Sequence, residues 1–157
     1  MDLVLVAFWG MGRLGELTDT TQGNNKECGP KMRDVWFSAN GDAATLAIRD
    51  AKTAAPGAIQ YIRLTSLQNL LCPVLALKRR YEKRPDMDCS VFGFWLSTRW
   101  RTLTQYSVTS KTASIWNTTG QAALSGHSFR VGGASFRNAL GVPVASICHL
   151  GRWELNG

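Results

Sequence analysis

Histidine is scarce in this sequence, with only His127 and His149, and the four cysteines Cys28, Cys72, Cys89 and Cys148 include no pair at C-x-x-C spacing. That excludes the usual zinc patterns and a disulfide framework, so no metal is expected and reduced thiols are. Long apolar runs are absent as well. The opening run, Leu3 to Trp9, is seven residues long and follows no basic stretch. It is too short for a membrane span and lacks the flanks of a signal peptide, so no membrane role is expected. Acidic residues are few: 11 Asp+Glu stand against 18 Lys+Arg, a net charge of +7. Such an excess favours a polyanionic partner, nucleic acid first. There is no internal repeat and no low-complexity tract. What is present, 157 residues with 45% hydrophobic and 18% charged, suits one globular domain with a real core.

The segment from Leu3 to Leu17 is apolar enough for a buried helix or strand. A polar loop follows from Thr18 to Pro30. Three short runs then read as strands: Val35-Trp36-Phe37, Thr45 to Arg49 and Ile59 to Leu64. Asn40-Gly41-Asp42 and Ala55-Pro56-Gly57 separate them, which predicts an antiparallel meander. Pro73 suits the first turn of a helix that ends in the basic run Lys78-Arg79-Arg80, with Lys83 and Arg84 beyond. Pro85 to Thr104 reads as an irregular connection. Helices are expected around Val108 to Asn117, from Ser128 to Leu140 before Gly141, and from Val144 to Leu150. The expected class is α+β: mainly α with a small three-stranded antiparallel sheet.

Gly10-Met11-Gly12-Arg13-Leu14-Gly15 spells G-x-G-x-x-G after an apolar run. A dinucleotide-binding fold would need a crossover helix after it. The following residues, Glu16 to Asn25, are too polar and too β-branched for that helix. Cofactor binding at Gly10–Gly15 is therefore a remote alternative, and no cofactor is expected.

The run from Gly126 to Ser135 contains His127-Ser128-Phe129-Arg130, an H-x-x-R at the start of a helix. One turn separates the two side chains, so both can face one phosphate. Histidine shuttles a proton, and arginine forks onto two phosphate oxygens. Taken alone, the pair reads better as a helix cap, His127, and a surface charge, Arg130.

Three other stretches join it in order. Ala7 to Leu17 places Arg13 in a turn after an apolar segment, with Glu16 three residues on. Lys52 lies between the second and third strands. Leu150-Gly151-Arg152-Trp153 closes the series. This ordered set resembles the catalytic domain of the tyrosine recombinase (phage integrase) superfamily. The wording of GRLGELT, HSFRVGGASF and LGRW is similar to recombinase-like domains of fungal mobile elements.

The resemblance implies a DNA phosphodiester as substrate, cut and rejoined through a phosphotyrosyl intermediate. It makes Arg13 and Arg130 the groups that hold the non-bridging oxygens. Lys52 would protonate the leaving 5′ oxygen, and His127 would assist proton transfer. Trp153 would pack or hydrogen-bond at the phosphate. Glu16 supports the arginine turn. The resemblance puts a His or Trp after the glycine of the last box, where either Arg152 or Trp153 fills the place. Lys78, Arg79, Arg80, Arg99 and Arg101 are candidate contacts to double-stranded DNA.

By the same resemblance the nucleophilic tyrosine falls beyond Gly157. Residues 1–157 are then expected to be a single truncated catalytic domain, without the tyrosine segment or the N-terminal clamp domain. Tyr61, Tyr81 and Tyr106 all precede the H-x-x-R box and do not qualify by order. The implied setting is the nucleus if the source is a eukaryotic mobile element, and otherwise intracellular. Homo-oligomers on DNA are implied for the full-length protein. A non-catalytic DNA-binding relic of such an enzyme is the alternative.

Overall fold

The computed structural model describes residues 1–19, 29–51, 54–120 and 125–153. The opening segment, open between helix and strand in the sequence, is helix α1 (Asp2–Trp9), followed after a tight turn by the short α2 (Leu14–Leu17). α1 has almost no polar face, and it accordingly sits at the centre, with Val6 and Ala7 fully buried. Its one acidic residue, Asp2, lies in the first turn, where the helix dipole favours a negative charge.

The meander follows as expected: β1 (Val35–Phe37), β2 (Ala43–Ile48) and β3 (Gln60–Thr65), antiparallel in that order. Val35 pairs with Leu46, and Leu46 with Ile62, so alternate side chains share one buried face. That face meets the turn after α1 closely. A Cβ at Gly10 would stand 2.3 Å from Ile62 Cγ2, and one at Gly12 would stand 3.1 Å from Ile62 Cδ1. Gly10 and Gly12 of the G-x-G-x-x-G string are therefore explained by packing against the sheet, while Gly15 faces the Gln105 side chain. The string also follows a helix, whereas a dinucleotide fingerprint needs a strand there.

Helix α3 (Pro73–Glu82) starts with proline in its first turn, and Cys72 Sγ accepts the Leu75 N–H. The sequence reading of an irregular connection after Pro85 is corrected. Gly93–Leu96 and Arg99–Thr102 form a two-stranded antiparallel hairpin, β4 and β5. Its turn is Ser97-Thr98, which lacks the glycine, asparagine or proline that usually announces a hairpin. Ser97 takes the positive φ of 53° that such a tight turn requires. Helix α4 (Gln105–Thr118) opens with a Thr104/Ser107 capping box, and α5 (Ser128–Ala139) and α6 (Val144–Gly151) complete the chain. Among the described residues this is an α+β fold of six α-helices, a three-stranded sheet and a separate hairpin. No helix among them is long and apolar enough to cross a membrane.

α1 packs between α3 and α5. The α1–α5 crossing is close enough to require glycine: a Cβ at Gly133 would lie 2.1 Å from the Phe8 carbonyl oxygen. Gly132 faces only the Phe8 ring edge, at 3.4 Å. Gly133→Ala is expected to destabilise the fold by about 1–3 kcal/mol, because backbone must move. Gly132→Ala should be neutral or gain up to about 1 kcal/mol from helix propensity. Urea unfolding midpoints of the two variants check this, and equal midpoints would refute the close crossing.

Candidate functional site

The turn between α1 and α2 is built around unusual backbone. Met11 is fully buried at φ 45°, the left-handed region that glycine normally fills. Its carbonyl points at α5, where Arg130 Nη1 donates to it at 2.6 Å. Two residues on, Arg13 caps α2. Its backbone N–H donates to Glu16 Oε2 at 3.2 Å and its Nη1 to Glu16 Oε1 at 2.7 Å.

Glu16 is only 2% exposed. Its second oxygen also accepts Arg152 Nη2, at 2.8 Å. Arg152 closes α6 in the left-handed region, at φ 57°, which turns its side chain back toward the α1–α2 turn. Burial pushes the Glu16 carboxyl up, but the charge of Arg152 and the hydrogen bonds and charge of Arg13 outweigh it. The net result holds Glu16 below the usual carboxylate range.

Arg130 is fully buried behind this pair. Besides Met11, it donates through Nη2 to the Gly151 carbonyl. Its guanidinium carbon lies 4.5 Å from the centroid of the Trp153 ring. Burial and the positive charge of Arg13 lower its pKa to about 10, with Glu16 opposing and Arg152 adding to the effect. It remains a cation at neutral pH. Arg130 Nε, Arg152 Nε and Arg152 Nη1 are buried without a hydrogen-bond partner among the described residues. Unmatched buried donors on cationic groups are what an anion would satisfy.

In front lies a cleft of about 330 Å³, lined by Arg13, Glu16, Gln105, Gly126 and His127, with Asp50 on its wall. His127 stands exposed at the N-cap of α5. The structure thus brings Arg13 and His127 to one cleft, while Arg130 is buried outside its lining, close enough to sense the charges of Arg13 and Glu16. Trp153 packs on Arg130 and does not line the cleft, and Arg152 engages Glu16. Lys52 lies outside the described residues.

The other basic candidates divide. Lys78 Nζ donates to the Gly41 carbonyl at 3.2 Å. Arg79 and Arg80 both pair with Asp2, and Arg80 also donates to the Gly93 carbonyl. Arg99 and Arg101 are exposed on β5. Sequence reasoning missed Gln105 and Asp50. The Thr104/Ser107 spacing marks the start of α4 and so could have found Gln105. Nothing local singles out Asp50. Among the described residues no group of three His, Cys, Asp or Glu side chains is placed to hold a metal.

The fold is that of the tyrosine recombinases. Over 99% of this chain it is similar to Flpe in a Holliday junction complex, with a TM-score of 0.62 and 13% identity. Over 96% of the chain it is similar to the Tn1549 transposon integrase in complex with circular intermediate DNA, with a TM-score of 0.58 and 14% identity. The chain spans 39% of the first of those chains and 50% of the second. No protein-family model matches, and no curated protein is significantly similar.

Glu16→Gln tests the carboxylate that joins Arg13 to Arg152. Removing one partner from a buried ion pair should cost about 3 kcal/mol at neutral pH. The folded-state pKa of Glu16 is lowered, so its contribution is present above about pH 4.5 and is lost as the pH falls through the folded value. Wild type should therefore lose stability more steeply than Glu16→Gln below that pH. Parallel acid-limb slopes in denaturant titrations would show that Glu16 is not the coupling group.

Proposed function

We propose that this chain is the catalytic core of a DNA strand-transfer enzyme, and that its cleft receives one phosphodiester of double-stranded DNA. The observation that carries the reading is the meeting of Arg13 and His127 at one cleft, where Glu16 of the lining holds Arg152 and the buried Arg130 lies near enough to sense Arg13 and Glu16. A phosphorane-like transition state gathers negative charge on its equatorial oxygens. Fixed guanidinium groups in a partly dry site stabilise that charge without having to reorganise.

In this reading Arg13 holds a non-bridging oxygen directly, and His127 accepts or donates the nucleophile's proton. Lys52 protonates the leaving 5′ oxygen. Arg130 supplies charge from outside the lining, with Trp153 stacked on its guanidinium. Arg152 takes the place that the superfamily gives to His or Trp, and Glu16 sets the angle of both flanking arginines. The similar structures named above were solved with DNA, which supports the choice of partner. The likeness of GRLGELT, HSFRVGGASF and LGRW to fungal mobile-element domains supports a mobile-element origin, and hence a nuclear setting. The nucleophilic tyrosine is assigned to sequence after residue 157, and assembly on DNA to the full-length protein.

A second reading, DNA binding without strand transfer, has one observation in its favour. Both Nη atoms of Arg130, the arginine expected on the phosphate, are held by the Met11 and Gly151 carbonyls.

Residues 1–157 are expected to bind duplex DNA in the micromolar range or weaker at physiological salt. Arg13→Ala should weaken inorganic phosphate binding about tenfold, the loss of one charge-assisted contact. No covalent adduct should form with a nicked suicide substrate, as read by denaturing electrophoresis. An adduct would make Tyr61, Tyr81 or Tyr106 a nucleophile and sink the assignment. A version carrying the downstream sequence that forms an adduct supports the enzyme, and one that binds without it supports the second reading.

A further inference from the structure

The β4–β5 hairpin has two unlike faces. Residues directly opposite on antiparallel strands share a face. Trp95 pairs with Trp100 on one side, while Phe94 pairs with Arg101 and Leu96 with Arg99 on the other. The tryptophan side is tied to the body chiefly through Trp100, while Trp95 is itself 50% exposed. Trp100 Nε1 donates to the Ser90 carbonyl at 3.2 Å and Trp95 Nε1 to the Lys83 carbonyl at 3.4 Å, and the two rings meet edge to face at 5.6 Å. Trp100 also lies so close over Gly93 that a Cβ there would stand 2.3 Å from its Nε1. Arg80 fixes the base of the ribbon through the Gly93 carbonyl.

These anchors turn the opposite face outward. Phe94 is 46% exposed and Leu96 is 56% exposed, and Arg99 and Arg101 are exposed beside them. No acidic residue occurs between Gly93 and Thr102. One strand therefore offers apolar surface and the other offers two guanidinium groups.

We infer that this face is a second DNA contact, seated in the major groove of a duplex whose phosphate occupies the cleft. The inference rests on the DNA reading above. Two strands about 4.8 Å apart, with their side chains, suit a groove about 12 Å wide and are too broad for one of about 6 Å. Arginine forks match the O6 and N7 of guanine, and Phe94 and Leu96 suit thymine methyl groups. Position agrees. The chain leaves β5 at Thr102 and reaches Gln105, on the cleft wall, three residues later, at most about 10 Å.

The test is methylation of guanine N7 by dimethyl sulfate on a mixed-sequence duplex, with affinity measured in parallel at about 50 mM salt. Wild type should protect guanines. Arg99→Ala with Arg101→Ala should abolish that protection and weaken duplex binding about tenfold or more. Phe94→Ala should weaken binding while some protection survives. All three positions are solvent-facing, and an unchanged unfolding midpoint confirms that the variants are folded. Unaltered protection in the double variant overturns the inference. So does wild type that protects no guanine but binds an acidic peptide through Arg99 and Arg101, which would make the partner a protein. Duplex binding that depends on Arg13 and is indifferent to the hairpin leaves the cleft reading standing and removes this one. Wild type with no affinity for duplex removes both.

Discussion

The Glu16 carboxylate receives Arg13 on one oxygen and Arg152 on the other, with the Arg13 backbone N–H shared between capping and pairing. Arg130 lies close enough behind them to feel all three charges. Three guanidinium groups gathered out of water repel one another, and their mutual energy grows as the surroundings become less polar. A single buried anion is what makes the cluster tolerable. It also joins the start of the chain to its end, since Arg13 belongs to the α1–α2 turn and Arg152 to the close of α6. The cluster keeps a net positive charge and three buried donors without a partner among the described residues, so it is still attractive to a second anion.

The backbone around this cluster carries strain that regular elements would avoid. Met11 and Arg152 both take left-handed φ values without being glycine, a conformation that costs about 1–3 kcal/mol per residue. Each has a use for it. Met11 aims its carbonyl at Arg130, and Arg152 swings its side chain onto Glu16. Arg137, seven residues after Arg130 on α5, reaches the Trp9 carbonyl from the same side. The end of α1 is thus closed by Arg137 from another helix as well as by local backbone bonds, from Gly10 N–H to Val6 and from Gly12 N–H to Ala7. Carbonyls at a helix C-terminus carry partial negative charge, which suits that arrangement. The packing of α1 on α5 and the placing of Arg130 are therefore one event, which explains why Gly133 must be small at the same crossing.

What was legible in the sequence follows from the range of the forces involved. The meander could be read because Asn-Gly and Pro-Gly turns are local signals, and the helices because capping and periodicity are local too. The hairpin at Gly93–Thr102 could not, because its turn is Ser97-Thr98 and its stability comes from tryptophans reaching Ser90 and Lys83. At the site, the meeting of Arg13 with His127 was legible as an ordered set of boxes. The fate of Arg130 was not. Its side chain is oriented by the Met11 and Gly151 carbonyls, which are distant in sequence and offer no pattern to read. In the last box Arg152 turns to Glu16 and Trp153 to Arg130, and the left-handed residue that closes α6 is likewise no pattern in the sequence.

The distribution of positive charge carries the same lesson one step further. The densest basic run in the sequence, Lys78-Arg79-Arg80, looks like the natural place for a polyanion. In the fold those side chains are bound to Gly41, Asp2 and Gly93, and they hold α3 to α1 and to the hairpin. Asp2 offsets one of these three charges, so the run is held in place by the fold but keeps part of its positive charge. Arg99 and Arg101 on the hairpin add to that remaining charge without a carboxylate in their own ribbon. The segment from Arg99 to Gln105 joins the exposed arginines of the hairpin to the wall of the cleft, so the two regions are neighbours along the chain.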